Sequence, residues 1–290
     1  GFGVAKVLFS FIIVEILIMI FVFYNIIKNI GLPSRINLNF VKPYLKFSLP
    51  LIPNALLYWL INYSDRFVIT QVLEVSKVGI YSASYSLGLF ITFFLNPISF
   101  VLFPTISKLW EENKFEKVKK YMEYSMKYYF LLAIPSVLGI LYLYPSLLKV
   151  LATSEFITSN LLILFILLGV FFRGVYQIYV YNIHLNNKSY YLPFIFLFVS
   201  GLNISLNLYL VPKIGLVGAA FSTFLAYFMQ FLLVFLYSKR FFKVNINYKA
   251  TSKILVSSLI MYFVLDVLKL SSLSLLTGII WSIIVGASVY

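Results

Sequence analysis

Apolar runs of about 20 residues recur along this chain from its first residues to its last, and a run of that length, wound as a helix, matches the thickness of a bilayer's hydrocarbon core. Nine such runs are read from the sequence, at roughly 4–27, 47–71, 79–107, 121–148, 156–182, 190–211, 215–237, 251–269 and 272–290. A backbone crossing lipid must satisfy its own hydrogen bonds, which leaves helices or a closed barrel. Barrel strands would show an alternation of apolar and polar residues over about ten positions, and the sequence has none. The expectation is an all-α integral membrane protein with about nine transmembrane helices and short loops. Composition narrows the chemistry further. With no cysteine and a single histidine among 290 residues, the chain has no thiol nucleophile, no disulfide and little means of holding a transition metal. No paired carboxylates or phosphate-cradling glycine loop appear either, so neither an enzyme nor a cofactor is expected.

A net charge of +14 would suggest nucleic acid in a soluble protein, but here the cations sort by loop, and the expectation is no nucleic acid and anionic lipid headgroups instead. Fifteen of the 23 Lys and Arg residues, among them Lys117, Lys120, Lys239, Arg240 and Lys243, fall in alternate loops on one side. Four, Lys77, Lys149, Lys213 and Lys269, fall on the other. Lys and Arg are retained in the cytoplasm, so the first span is expected to run inward and the C-terminus to be cytoplasmic. The mixed-charge stretch Trp110 to Tyr129 reads either as a solvated extension of the fourth span or as a helix lying on the interface against anionic lipid.

Prolines at 50, 53, 97, 104, 135 and 193 predict bent helices, and Gly215, Gly218, Ala219, Ser222 and Ala226 form a small-residue face for close helix approach. Several spans also carry one polar stripe each. In the second, Asn54, Tyr58, Asn62 and Asp65 share a face. Arg66 stands beside that stripe near the outer end of the span, where it is not expected to face Asp65 as an i, i+4 pair would. The third span carries Tyr85, Thr92, Asn96 and Ser99, the fifth Arg173, Tyr176, Gln177 and His184, and the sixth Ser200, Asn203 and Asn207. Lipid tolerates none of these, so the stripes are expected to point inward, to bond neighbouring helices or to line a path. Arg173, near mid-span, is read as a cavity residue for an anionic group, a phosphate above all. Asp65 and Arg66 are read as a structural pair or as a gate, and His184 as an interface residue.

Three stretches, SLPLIPNALLYWLINYSDRFVI at Ser48 to Ile69, EVSKVGIYSASYSLG at Glu74 to Gly88 and NLYLVPKIGLVGAAFSTFLAY at Asn207 to Tyr227, carry a family likeness. The chain resembles the polysaccharide flippase branch of the multidrug/oligosaccharidyl-lipid/polysaccharide exporter superfamily, whose members have two six-helix lobes and often two further C-terminal helices. The resemblance implies that residues 1–27 are the last helix of a truncated N-terminal lobe, 28–46 a cytoplasmic linker, 47–237 the second lobe, 238–250 a cytoplasmic loop and 251–290 the two additional helices. It implies translocation of undecaprenyl-diphosphate-linked oligosaccharide repeat units, of the O-antigen or capsule kind, across the cytoplasmic membrane by alternating access. Arg173, Gln177, Asn62, Asn96 and Asn203 are then the expected cavity residues, and Asp65 and Arg66 the gate or rim. Membrane lipids, a polysaccharide polymerase and glycosyltransferases are the expected partners. The alternatives are a cation-coupled multidrug exporter, a peptidoglycan lipid-precursor flippase, a membrane glycosyltransferase or polymerase, and a non-transporting scaffold. Because the chain has no native cysteine, single Lys77→Cys and Lys117→Cys variants report topology directly. An impermeant maleimide is expected to label them from opposite sides of the membrane, and labelling of both from outside overturns the orientation.

Overall fold

The computed structural model describes residues 3–31, 41, 42, 45, 51–269 and 275–290, and the regular structure among them is helical. In chain order the helices are α1 (Val4–Ile30), α2 (Leu51–Val72), α3 (Val75–Leu89), α4 (Thr92–Glu111), α5 (Phe115–Leu151), α6 (Asn160–Leu185), α7 (Leu192–Ile214), α8 (Leu216–Ser238), α9 (Tyr248–Leu268) and α10 (Leu275–Val289). Seven of the described helices, α1 and α4 to α9, are long and apolar enough to cross a membrane. The chain is a multi-pass membrane protein. At 22 residues α2 has the length, about 33 Å, but it carries Asn62, Ser64, Asp65 and Arg66, and α10 is shorter at 15 residues.

Two compact units divide the chain, Gly1–Leu51 and Ile52–Tyr290. In the first, α1 is largely apolar, with Glu15 near its middle, and ends at Gly31, whose φ of +82° only glycine adopts without strain. In the second, α6 is the hub: α3, α4, α5 and α8 pack on it, α7 packs on α8, and α9 and α10 pack on α5. Phe172 on α6 sits among Phe224, Phe228 and Phe231 of α8, ring centroids 4.9–6.1 Å apart. The turn from α7 into α8 is made by Gly215 at φ +62°, and Gly218 then brings the two helices together. A Cβ at Gly218 would lie 2.6 Å from the Leu210 carbonyl oxygen, so the small-residue face predicted there is used for contact.

The third predicted span is two helices. At Phe90–Ile91 the N–H groups of Phe90, Ile91, Phe93 and Phe94 bond three residues back, which tightens the chain by a turn of 3-10 helix ahead of Pro97. Elsewhere proline does not interrupt: Pro104, Pro135, Pro145 and Pro212 lie inside continuous helices, and Pro193 occupies the first turn of α7. Pro50 lies outside the described residues. The charged stretch after Trp110 is an extension of α5, continuous through Leu151 for 37 residues or about 55 Å. Its Val118, Met122, Met126 and Tyr129 are buried along one face, while Lys117, Lys120 and Tyr124 stay exposed. In the turn before it, Lys114 lies 2.6 Å from Glu112 and holds that carboxyl below the usual carboxylate range.

The loop from α8 to α9 is fastened at both ends. Asn182 on α6 donates to the carbonyls of Ser238 and Phe242 at 3.0 Å, Glu123 of α5 accepts from the Asn245 N–H at 2.9 Å, and the Asn247 side chain caps α9 by accepting from the Ala250 N–H at 2.9 Å. Gly218→Ala is expected to cost about 1–3 kcal/mol by forcing α7 and α8 apart, seen as an earlier thermal or denaturant transition in detergent. Gly201→Ala, where a Cβ meets no atom within 4 Å, is the control and is expected to be neutral or slightly stabilising.

Candidate functional site

The site begins with a carboxylate that has no water. Asp65 on α2 is fully buried, and an apolar bundle tolerates its charge only if every oxygen is bonded. Its Oδ2 accepts from the Tyr81 hydroxyl of α3 at 2.7 Å and from Thr223 Oγ1 of α8 at 3.4 Å. Its Oδ1 accepts from the Arg66 backbone N–H at 2.7 Å and from the Arg66 guanidinium at 3.1 Å. That guanidinium also donates to the Asn62 carbonyl and stacks over Tyr63, Tyr81 and Tyr85, nearest to Tyr85 at 4.8 Å from the ring centroid. One residue before the acid, Ser64 donates to Asn203 Oδ1 of α7 at 2.7 Å, and Asn207 donates to the same oxygen at 3.1 Å. Polar side chains therefore tie α2 to α3, α7 and α8.

A second cation stands on α6. Arg173 is half-buried, donates to the Tyr58 hydroxyl of α2, and lies over the rings of Tyr58 and Tyr227 at 5.5 and 5.7 Å. Among the described residues it pairs with no carboxylate. It opens on a cavity of about 280 Å³ lined by Tyr58, Thr92, Asn96, Ser99, Arg173 and Gln177. Tyr129 of α5 forms part of the wall; its hydroxyl donates to the Phe171 carbonyl, and its ring fits because Gly174 has no side chain. Asn96 and Ser99 also line a wider groove of about 740 Å³ running past Phe103, Pro104 and Tyr181. The two cations are joined by tyrosines: Tyr227 donates to Asn62 Oδ1 at 2.9 Å and lies 3.0 Å from the Tyr85 hydroxyl, while Arg66 sits over Tyr85 and Arg173 over Tyr227.

A half-buried cation without an acidic partner, set in a wall of hydroxyls and amides, is suited to an anion carried with sugars. Residues 1–161 match a family of proteins described as polysaccharide biosynthesis proteins, more than half of the chain. The chain belongs to that family. Two Haloferax volcanii proteins are similar to it. One is described as a probable low-salt glycan biosynthesis flippase, Agl15, 24% identical over 70% of this chain and 43% of its own length. The other is a probable flippase, AglR, 28% identical over 78% of this chain and 47% of its own. Among solved structures, the lipid II flippase MurJ in an inward closed conformation superposes with a TM-score of 0.68 at 21% identity, covering 92% of this chain and 58% of that one. That likeness shows a shared all-α fold. This polysaccharide biosynthesis protein spans less than half the length of the two Haloferax relatives it matches. The likeness read from the stretches at Ser48, Glu74 and Asn207 is borne out.

Within this family member the expected cavity residues separate. Arg173, Gln177 and Asn96 share one cavity. Asn62 stands behind it, holding Tyr227 through its side-chain oxygen. Asn203 does not reach it: the residue is fully buried among Ser64, Asn207 and Thr223 and fastens helices. Asp65 and Arg66 do face one another, contrary to expectation, because the long Arg66 side chain folds back onto its neighbour and rests on the tyrosine rings. The Asn54 side chain lies outside the described residues. His184 is 2.8 Å from the Ser189 hydroxyl at the end of α6, away from both cations. Tyr81, Thr223 and Tyr227 were not anticipated, although Tyr81 and Tyr85, four apart on α3, already marked a polar face directed at α2. Tyr81→Phe is expected to cost about 1–2 kcal/mol in unfolding free energy. A double-mutant cycle with Asp65→Asn is expected to be non-additive by at least about 0.5 kcal/mol, and strict additivity would rule out the Tyr81–Asp65 bond as the link between α2 and α3.

Proposed function

We propose that this chain forms the C-terminal lobe, residues 47–237, of a flippase that moves lipid-linked oligosaccharide units from the inner to the outer leaflet of the cytoplasmic membrane. The observation that carries the reading is Arg173, a cation without an acidic partner among the described residues, in a cavity of about 280 Å³ whose polar walls include Asn96, Gln177, Thr92 and Ser99. A guanidinium presents a planar fork that matches a diphosphate, and amides and hydroxyls suit sugars. An undecaprenyl-diphosphate carrier with a repeat unit of the O-antigen or capsule kind fits that chemistry. The family description and the flippase relatives support glycan transport over drug export, which would call for an unpaired acid in the cavity, and over enzymatic chemistry.

On this reading residues 1–27 are the last helix of the first lobe, 28–46 the linker, 238–250 a cytoplasmic loop and 251–290 the added pair. Transport proceeds by rocking of two lobes about a site near the bilayer midplane. Asp65 and Arg66 fix the rim by locking α2 to α3 and α8. The C-terminal end is placed in the cytoplasm on this reading, an orientation the loop charges favour, and a polymerase and glycosyltransferases act on the same carrier. A second reading, transport of a peptidoglycan lipid precursor, is favoured by the superposition on MurJ. It places the same demand for diphosphate recognition on Arg173.

In the full-length protein Arg173→Ala is expected to lower surface polysaccharide at least tenfold at unchanged protein level, and Arg173→Lys to restore part of it, since lysine keeps the charge but loses the fork. Undiminished export by Arg173→Ala at normal abundance removes Arg173 from substrate recognition. Loss of peptidoglycan integrity in place of surface polysaccharide selects the second reading.

A further inference from the structure

A second polar cavity lies away from Arg173, where the end of α6, the end of α8 and the loop into α9 meet. It measures about 330 Å³ and is lined by Tyr179, Ser238, Lys239, Lys243, Asn245 and Tyr248. From Ser238 to Ile254 the sequence holds Lys239, Arg240, Lys243, Lys249 and Lys253 and no acid. The pocket is built as well as charged. Asn182, Glu123 and Asn247 fasten its loop by the hydrogen bonds already described, and Lys239 is held with its Nζ 3.9 Å from the Phe235 ring centroid. At its edge the first turn of α9 begins at Tyr248, so unbonded backbone N–H groups and the positive end of a 21-residue helix add to the field.

One further observation points to a ligand. Tyr179 of α6 is 1% exposed, lines this pocket and packs against Phe231 and Phe235, yet its buried hydroxyl has no hydrogen-bond partner among the described residues. A buried phenol left unbonded costs free energy that a bound acceptor would recover.

We infer that this pocket binds the phosphate of an anionic lipid headgroup at the membrane surface, with Lys239 and Lys243 as its charge partners and the Tyr179 hydroxyl as a donor. Basic clusters beside a membrane span attract anionic lipids, and the fixed loop converts that general attraction into a site. The site is separate from the Arg173 cavity and does not depend on what that cavity transports.

The test uses the complete chain purified in detergent, with phosphatidylcholine or phosphatidylglycerol added and the unfolding midpoint read. Phosphatidylglycerol is expected to raise the midpoint by about 2–4 °C over phosphatidylcholine. The Lys239→Gln/Lys243→Gln variant is expected to lose that difference, and Lys249→Gln/Lys253→Gln, outside the pocket, to keep it. Equal loss in both variants would reduce the effect to general charge and overturn the site. Tyr179→Phe guards against variants that fold poorly, because it deletes only an unbonded hydroxyl. It is expected to match or exceed the parent in phosphatidylcholine and to fall below it in phosphatidylglycerol; the same ranking in both lipids overturns the role of the hydroxyl. Inorganic phosphate alone is expected to give no shift. A full shift with phosphate would assign the pocket to the soluble ion and overturn the lipid.

Discussion

Asp65 is the fixed point of this bundle. A carboxylate moved from water into an apolar interior loses several kcal/mol of solvation unless hydrogen bonds and a counter-charge replace it, and in the described structure four donors do so. Those donors come from three helices, so satisfying one side chain sets the position of α2 against α3 and α8. Between lipid-soluble helices there is little hydrophobic driving force for association, and polar contacts of this kind take on the work of specifying which faces meet. Ser64 extends the same logic to α7 through Asn203 and Asn207. The tie is therefore a demand for complete satisfaction more than a source of stability.

Around that point the packing follows from small residues and rings. Gly218 sets the closeness of α7 to α8, and Gly174 makes the space that Tyr129 fills behind the Arg173 cavity. The phenylalanines of α6 and α8 interlock so that the hub helix cannot slide without breaking several ring contacts. Arg173 thus projects from the hub helix of the unit, while Asp65 sits on a helix that adds polar ties to the buried Ile61, Val68 and Ile69.

Much of this was legible in the sequence. Run length and the absence of alternation gave the all-α membrane class, and the stripe of Arg173 and Gln177 on one helix with Asn96 on another predicted residues that do share a cavity. Periodicity places a residue on a face, but it does not say whether that face meets a neighbouring helix or an opening. Asn203 and Asn96 look alike in sequence, and only packing makes one a fastener and the other a wall. The expectation that Asp65 and Arg66 would not face one another failed for a related reason. Helical spacing separates their Cβ directions by about 100°, yet the arginine side chain is long enough to turn back once tyrosine rings give it a surface to lie on. The break at Phe90–Ile91 was hidden because an apolar run reads the same through a 3-10 turn as through an α-helix.

The two arginines differ in what surrounds them, and that difference is the basis for the separate roles proposed for them. Arg66 has its carboxylate at 3.1 Å; an incoming anion would have to compete with an attraction that, at an effective dielectric of about 20, amounts to about 4 kcal/mol at 4 Å. Among the described residues Arg173 meets the hydroxyl of Tyr58 and the faces of Tyr58 and Tyr227. Those contacts hold the guanidinium plane in place and leave its charge uncancelled, so an arriving phosphate displaces at most one phenol hydrogen bond, worth about 1–2 kcal/mol. Asp65 is committed to fixing α2, and among the described residues no acid lines the Arg173 cavity. The proposed recognition of an anion depends on that separation, because a cation neutralised by its own protein cannot recognise a substrate's charge and a cation with no support at all could not be kept in the membrane.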